Sequence, residues 1–286
     1  MSNENTNSVV EQMDNILKRI DRINESFIYG VWVPSLNKEI SFRELTTGQQ
    51  KRLVKSIVDS PIYSTQFILT LREILKENCA DTTVDIDQLN LIDKLFIAMK
   101  IRSTCVNDIV EFTFNEKTKR GLSLEKLIEE KKKEIQLPSS AILSDEQNNY
   151  TLQCSLPTIL TEAKLEEEIR NNVENEKINF ESPQEVRQML GDVLIGEVVK
   201  FITSLSIRDG EQIIQINFND ISFRNRIALV EKLPAKLIDK LMQYISETKK
   251  TIEKITLWKF EIDDKSISDV EKEVHLTIDG RFFIKS

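Results

Sequence analysis

Residue types that carry most enzyme chemistry are scarce in this chain. His275 is the only histidine, and it lies in an alternating strand pattern between Val274 and Leu276. One interpretation is a catalytic or metal-binding histidine. The other is a strand residue that faces solvent or whose hydrogen bonds are satisfied by its neighbours. With three scattered cysteines and one histidine, the sequence contains no zinc-ligand set of the usual spacing.

The three cysteines are Cys79, Cys105 and Cys154, an odd number in apolar surroundings. This arrangement indicates buried free thiols in a reducing compartment rather than a disulfide framework. Asp81 and Asp87 lie close together with Asp85 between them, which could suggest calcium. Their spacing lacks the loop glycine and the closing glutamate of an EF-hand, so helix capping by Asp85 or Asp87 is the favoured interpretation.

Two glycine patterns could suggest nucleotide binding. The segment from Gly48 to Lys51 is similar to the end of a phosphate-binding loop, but the earlier glycine and the following hydroxyl residue are missing. Gly191 and Gly196 lie within a predicted helix, where they favour close helix packing over a dinucleotide fingerprint. Since no nucleophile has an adjacent base either, we expect a protein that is not an enzyme and needs no metal, nucleotide or other cofactor.

Composition narrows the class further. The chain has 286 residues, a formal net charge of −8 and 40% hydrophobic residues, which is enough for genuine cores. The negative charge argues against nucleic acid as a partner. The basic residues Lys117, Lys119, Arg120 and 131–133 could contact phosphate, and the alternative interpretation is a solvated face. We find no signal peptide and no apolar run near the roughly 20 residues of a membrane span, so we expect a soluble protein that is intracellular when made.

The secondary structure that the sequence predicts most clearly lies in residues 27–58. Alternating apolar residues on both sides of a Pro34 turn predict a β-hairpin. Thr46 and Thr47 each have a glutamine three residues on, Gln49 and Gln50, and this capping-box pattern predicts the start of a helix. Phe42 should join this hairpin to the helix. The predicted structural core residues are Phe42, Leu53, Ile57, Leu95 and Phe96.

The whole pattern predicts an α+β fold, mainly helical with short antiparallel β-hairpins, in two domains. Residues 1–26 form an amphipathic arm that docks on a partner or on its own chain. An N-terminal α+β domain covers 27–160, a charged linker or exposed helix covers 161–182, and a C-terminal α+β domain covers 183–286. Near its end, Asp279-Gly280 predicts a tight turn into a strand at 282–284.

A helix predicted from Pro183 to about Leu205 is apolar around most of its circumference. One interpretation is a partner surface, because a surface helix needs an apolar arc of little more than 100°. The other is a central helix enclosed by its own domain, with an inner stripe that includes Leu194. The candidate interface residues are Gly191, Gly196, Val198, Val199, Phe201 and Ile202.

Two stretches carry a resemblance to a known family, densest over residues 29–114. They are VWVPSLNKEISFRELTTGQQKRLVKSI and ILKENCADTTVDIDQLNLIDKLFIAMKIRSTCVNDIVEF, with a closing IDGRFF. The residues concerned are Pro34, Ser35, Lys38, Phe42, Arg43, Leu45, Thr46, Gln50, Lys51, Cys79, Asp93, Leu95, Phe96 and Arg102. The pattern resembles the baseplate hub proteins, structural subunits or assembly factors, of large contractile-tailed bacteriophages.

This resemblance implies a structural or assembly component of a contractile phage tail that acts through protein–protein interfaces. Its partners would be other baseplate hub, tail tube or tape-measure proteins, or further copies of itself. It would be found in the virion tail baseplate, and in the host cytoplasm during assembly. The alternative is a nucleic-acid-associated accessory protein of a phage or its host that uses the basic segments.

Overall fold

A computed structural model describes residues 3–58, 65–114, 118–147, 149–175, 182–262, 267–268 and 270–284. The side chains of residues 3–11, 57–58, 65 and 172–175, and of several residues between 183 and 193, lie outside this description. The fold is α+β, with a majority of helix and small antiparallel sheets, so the predicted class is confirmed. None of the described helices has the length and apolar content that a membrane crossing requires.

The α-helices account for most of the described chain. In chain order they are α1 (Asn3–Ser26), α2 (Thr47–Val58), α3 (Thr65–Asn78), α4 (Leu91–Cys105), α5 (Leu124–Glu134), α6 (Ile159–Asn175), α7 (Pro183–Val199), α8 (Phe223–Val230) and α9 (Ala235–Thr256). Short 3-10 helices lie at Pro34–Leu36, Ile86–Gln88, Phe218–Asp220 and Gly280–Phe283.

The strands form small antiparallel sheets. They are β1 (Ile28–Val33), β2 (Lys38–Arg43), β3 (Ile109–Thr113), β4 (Lys119–Ser123), β5 (Ala141–Ser144), β6 (Tyr150–Cys154), β7 (Ile202–Asp209), β8 (Gln212–Asn217), β9 (Leu257–Lys259) and β10 (Glu273–His275). β1 pairs with β2, β3 with β4 and β9 with β10, while the larger sheet has the order β5-β6-β7-β8.

The predicted hairpin is present, and its buried residues belong to the larger apolar cluster, which we call the first core. β1 and β2 pair with Val31 opposite Ile40, and both side chains are buried. α2 begins through the first of the two predicted capping boxes, because the backbone N–H of Gln49 donates to Thr46 Oγ1 at 3.2 Å and that of Thr46 donates to Gln49 Oε1 at 3.0 Å. The alternating and helical patterns in this stretch therefore lead directly to the observed elements.

The predicted core residues occupy different environments. Phe42, Leu53 and Phe96 are buried in the larger apolar cluster. Leu95 is half-buried on α4, and the side chain of Ile57 lies outside the described residues. Phe96 also contacts β1, since its ring centroid lies 5.2 Å from that of Trp32 in an edge-on arrangement.

The predicted domain boundary at 161–182 is wrong, because the four-stranded sheet crosses it. β5 and β6 come from the predicted N-terminal domain, and β7 and β8 from the predicted C-terminal one. Leu152 on β6 lies opposite Leu205 on β7, and both are fully buried. The segment read as a linker or exposed helix is largely α6, which buries Ala163, Leu165 and Ile169.

Two predicted boundaries in the C-terminal half are also corrected. The helix predicted to reach Leu205 ends at Val199, because the following residues pair with β6. The strand predicted at 282–284 is replaced by the 3-10 helix Gly280–Phe283. Asp279 caps this helix, accepting from the backbone N–H groups of Arg281 at 2.8 Å and Phe282 at 3.3 Å.

Candidate interaction surfaces

Most of the described residues that were candidates for a partner surface are buried inside the protein. Val199 and Phe201 are 1% exposed and Ile202 is 3% exposed, within a cluster that also contains Leu237 and Leu241. Val198 is half-buried against the same cluster. The interface interpretation of these residues is therefore wrong, because β6 and α9 already cover the apolar face.

The two glycines of this helix differ in their surroundings. A Cβ added at Gly196 would lie 3.0 Å from ring carbons of Phe223 on α8 and 3.5 Å from Leu165 on α6. The close approach predicted at Gly196 is thus made by helices of the same chain. At Gly191 a Cβ would meet nothing within 4 Å among the described residues.

The remaining apolar residues of α7 divide into described and undescribed side chains. Leu194, which the sequence placed on the inner stripe, is 68% exposed. The side chains of Val186, Met189, Leu190 and Val193 lie outside the described residues. Leu194 is therefore the described apolar side chain through which α7 could meet another molecule.

Several residues that carry the family resemblance meet in space and join the hairpin to the helices. The backbone N–H groups of Ser35 and Asn90 donate to Oδ1 and Oδ2 of Asp93 at 2.8 and 2.9 Å. The Asp93 side chain is fully buried, and burial raises the pKa of its carboxyl despite these bonds. Asp93 thus ties the hairpin turn to the first turn of α4, a structural role.

The cysteines behave as packed thiols. Cys105 Sγ accepts from the backbone N–H of Leu45 at 3.3 Å and lies 3.8 Å from Tyr29 Oη. Burial raises the pKa of the Cys79 and Cys105 thiols, and raises that of Cys154 to about 12. A raised thiol pKa disfavours the thiolate, which is the nucleophilic form. All three are free cysteines; Cys154 is buried as predicted, whereas Cys79 and Cys105 are half-buried.

Gln50 and Arg102, which also belong to the stretches that carry the family resemblance, bind the 3-10 helix Gly280–Phe283 and the residue after it. Gln50 Nε2 on α2 donates to the carbonyl of Phe283 at 2.9 Å. Arg102 Nη1 on α4 donates to the carbonyls of Phe282 and, at 3.1 Å, Ile284, and its guanidinium lies 5.0 Å from the Phe282 ring centroid. Burial lowers the pKa of Arg102, which is 3% exposed. Both long-range contacts fix this segment to the first core.

Asp85 and Asp87, whose spacing could suggest calcium, have local structural partners. Asp85 caps the 3-10 helix Ile86–Gln88 by accepting from the backbone N–H of Asp87 at 3.0 Å, as the capping interpretation predicts. Asp87 accepts from Arg72 at 2.7 and 2.8 Å and from Lys76 at 2.7 Å. These bonds from Arg72, more than those from Lys76, lower the pKa of Asp87 although burial opposes the shift. Across the described ranges, no group of three or more metal-binding side chains comes together.

The histidine and the basic residues are spread over the surface. His275 is exposed on β10, opposite Leu257. Lys119 and Arg120 are exposed on β4, whereas Lys131 and Lys132 are paired with Glu134 and Glu39 at 3.7 Å each. Carboxylates therefore interrupt the basic segments that the nucleic-acid alternative would use.

A cavity of about 740 Å³ opens between the β3–β4 and β9–β10 hairpins. Its wall includes Trp258, Lys126, Glu130 and Glu273, and the Lys126 ammonium lies 5.4 Å from the Trp258 ring centroid. The residues that line it include no cysteine or histidine, and Ser123 on its wall is used as the N-cap of α5. This arrangement offers surface for contacts rather than an activated nucleophile.

Two exposed apolar surfaces stand out instead. On α1, Met13, Ile16, Leu17, Ile20 and Ile23 are each 46–57% exposed. On β8, Ile213 and Ile214 are 64% and 50% exposed. The amphipathic pattern of α1 is readable from the sequence. The exposure of β8 is not, because it depends on which strand lies at the edge of the sheet.

Comparison with protein-family models, with curated proteins and with solved structures finds no match for this chain.

Proposed function

We propose that this protein is a structural or assembly component of the baseplate hub of a contractile phage tail, and that it acts through protein–protein contacts rather than catalysis. The resemblance of residues 29–114 to baseplate hub proteins supports this function. The contacts of Ser35, Gln50, Asp93 and Arg102 support it too, because each of these residues joins two elements of the scaffold. The protein would be assembled in the host cytoplasm and be found in the tail baseplate.

The observation that carries the proposal is the free edge of β8. This strand, QIIQIN, ends the four-stranded sheet and contains no charged residue and no proline. Its outer edge pairs with no other strand in the part of the chain that the structure describes. Monomeric proteins usually protect such edges with charges, prolines, bulges or short strands, because an open edge pairs with other chains.

The opposite edge of the same sheet shows that protection. β5 has four residues, and Lys240 Nζ donates to the carbonyl of Ser144 at its end at 2.7 Å. β8 has six residues, with Ile213 exposed on one face and Ile214 on the other. A partner strand added to β8 would gain main-chain hydrogen bonds, and the two isoleucines would give it apolar contacts on both faces.

The partner strand would come from another hub protein, the tail tube or the tape-measure protein. The test is co-purification of the full chain with each of these proteins from the same phage, produced separately. Ile213→Lys and Ile214→Lys place on β8 the charge that natural edges use. Val270→Lys is the matched control, because Val270 is 78% exposed in a loop.

We expect the wild type and Val270→Lys to capture the same partner and both β8 variants to lose it. If the β8 variants fold and still capture the partner, the edge is not the contact surface. If none of the three partners binds, and electron microscopy of labelled particles finds no chain in tails or in hub intermediates, the proposed function is overturned.

A further inference from the structure

The described side chains of helix α1 are almost all exposed. Every described side chain from Gln12 to Arg22 is exposed, on all sides of the helix. At 1.5 Å per residue its 24 residues span about 36 Å. Most helices in proteins depend for their stability on burial of an apolar face. The apolar face of α1 has no cover from the described part of its own chain, so its burial requires another molecule.

The spacing of that apolar face is a heptad repeat. Apolar residues follow one another at intervals of four, three, four, three and four residues. They are Val9, Met13, Ile16, Ile20, Ile23 and Phe27. Such alternating intervals produce the seam by which two helices pack side by side in a coiled coil. Leu17 adjoins the seam and is 50% exposed.

We infer that α1 pairs antiparallel with α1 of a second copy of this chain. The sequence of intervals is the same in both directions, so the seam is complementary to itself after a twofold rotation. In that register Ile16 lies across from Ile20 of the second copy and Met13 lies across from Ile23. Identical surfaces that meet across a twofold axis form a closed dimer interface.

The charges of α1 favour the antiparallel orientation. Residues 3–15 carry three acids and no base, whereas residues 16–26 carry three bases and two acids. An antiparallel pair places the acidic half of each helix beside the more basic half of the other. A parallel pair would place the two acidic halves together. Antiparallel pairing brings Arg19 near its own copy, a repulsion that is small because Arg19 is exposed.

The base of the helix gives a further reason for this pairing. Phe27 and Ile28, where α1 meets β1, are 50% and 54% exposed. In the antiparallel register Val9 of the second copy lies across from Phe27. The first turns of one helix would therefore cover the apolar residues at the base of the other. This contact is separate from the β8 edge, so the inference does not depend on the proposed function.

The first experiment measures the mass of the purified full chain in solution over a range of concentrations. We expect twice the chain mass of 33.2 kDa. Ile16→Asp should weaken the dimer by about 100-fold, roughly tenfold at each of its two symmetric sites. Asn15→Asp is the matched control, because it adds the same side chain one position away from the seam and should leave the dimer intact. Circular dichroism and the unfolding midpoint establish that both variants fold.

The second experiment determines the orientation by oxidation of Ile16→Cys and Ile20→Cys. An antiparallel pair predicts a disulfide between the two variants when they are mixed, and little when each is alone. The wild type with its own three cysteines sets the background. Rapid cross-linking of either variant alone would overturn the antiparallel arrangement. A wild type that stays monomeric at the highest attainable concentration, or an Ile16→Asp dimer as tight as the wild type, would overturn the self-association.

Discussion

The backbone N–H of Ser35 donates to Oδ1 of Asp93 over 2.8 Å, although 58 positions separate the two residues. The same carboxylate accepts from the backbone N–H of Asn90 at 2.9 Å through Oδ2. One buried side chain therefore satisfies two backbone donors, one in the hairpin turn and one at the start of α4. Nearby, the edge-on contact of Trp32 with Phe96 joins the same two elements.

Asp93→Asn should destabilise the protein by about 1–3 kcal/mol, because an amide has only one acceptor oxygen and leaves one of these buried N–H groups without a partner. Chemical denaturation at neutral pH measures the effect. Asp85→Asn is the control, since an asparagine oxygen can still cap the 3-10 helix after it. Equal stability of Asp93→Asn and wild type would show that the two bonds do not contribute as described.

Phe283→Ala should cost about 3–5 kcal/mol, the usual range for a buried phenylalanine. Its ring is fully buried, and its centroid lies 6.2 Å from that of Phe67 on α3. The neighbouring Ile284→Ala is the control, because Ile284 is 43% exposed and should change stability by less than about 0.5 kcal/mol. Similar unfolding midpoints for the two variants would contradict the docking of the C-terminal 3-10 helix.

The two glycines of α7 should respond in opposite directions to alanine. Gly191→Ala should stabilise the protein by about 1 kcal/mol, because no described atom lies near the new methyl group and alanine is the better helix former. Gly196→Ala should destabilise it by up to about 2 kcal/mol, since the methyl group would press on the buried ring of Phe223. Thermal unfolding of both variants measures the difference, and equal gains would place α8 farther from α7.

Acid should weaken the protein partly through Asp87. Since Arg72 and Lys76 lower the folded-state pKa of Asp87, its contribution is fully present above the unfolded value of about 3.9. It is lost as the pH falls through the depressed folded-state pKa. Asp87→Asn should cost about 1–2 kcal/mol at pH 7, because both bases are partly exposed, and this deficit should shrink toward pH 2. A deficit that stays constant with pH would exclude this ion pair as the cause.

The sequence is sufficient for elements that are specified locally. The hairpin and α2 follow from alternation around Pro34 and from the reciprocal Thr46–Gln49 cap, both within a short stretch. The amphipathic pattern of α1 is likewise visible without any tertiary information. The individual roles of Asp93 and Arg102 cannot be predicted from the sequence, because their hydrogen-bond partners come from distant segments.

Elements that depend on distant partners are where the sequence is insufficient. Residues after Val199 continue an apolar helical pattern, and only pairing with β6, about 50 positions earlier, makes them a strand. The glutamates of α6 suggest a solvated linker, but Glu162 is buried with Lys94 as its partner. Asp279-Gly280 suggests a hairpin turn, while the carbonyls that follow bind Gln50 and Arg102 instead.

The attachment of the C-terminal 3-10 helix also has a consequence for synthesis. Arg102 and the carbonyl of Phe282 are 180 positions apart. At typical translation rates of 5–20 residues per second, Arg102 is made roughly 10–40 s before Phe282. During that interval the nascent chain presents the surface that Phe282 and Phe283 later cover. The first core is therefore completed only after Phe283 has been made, and until then ribosome-bound intermediates carry a hydrophobic site available to chaperones.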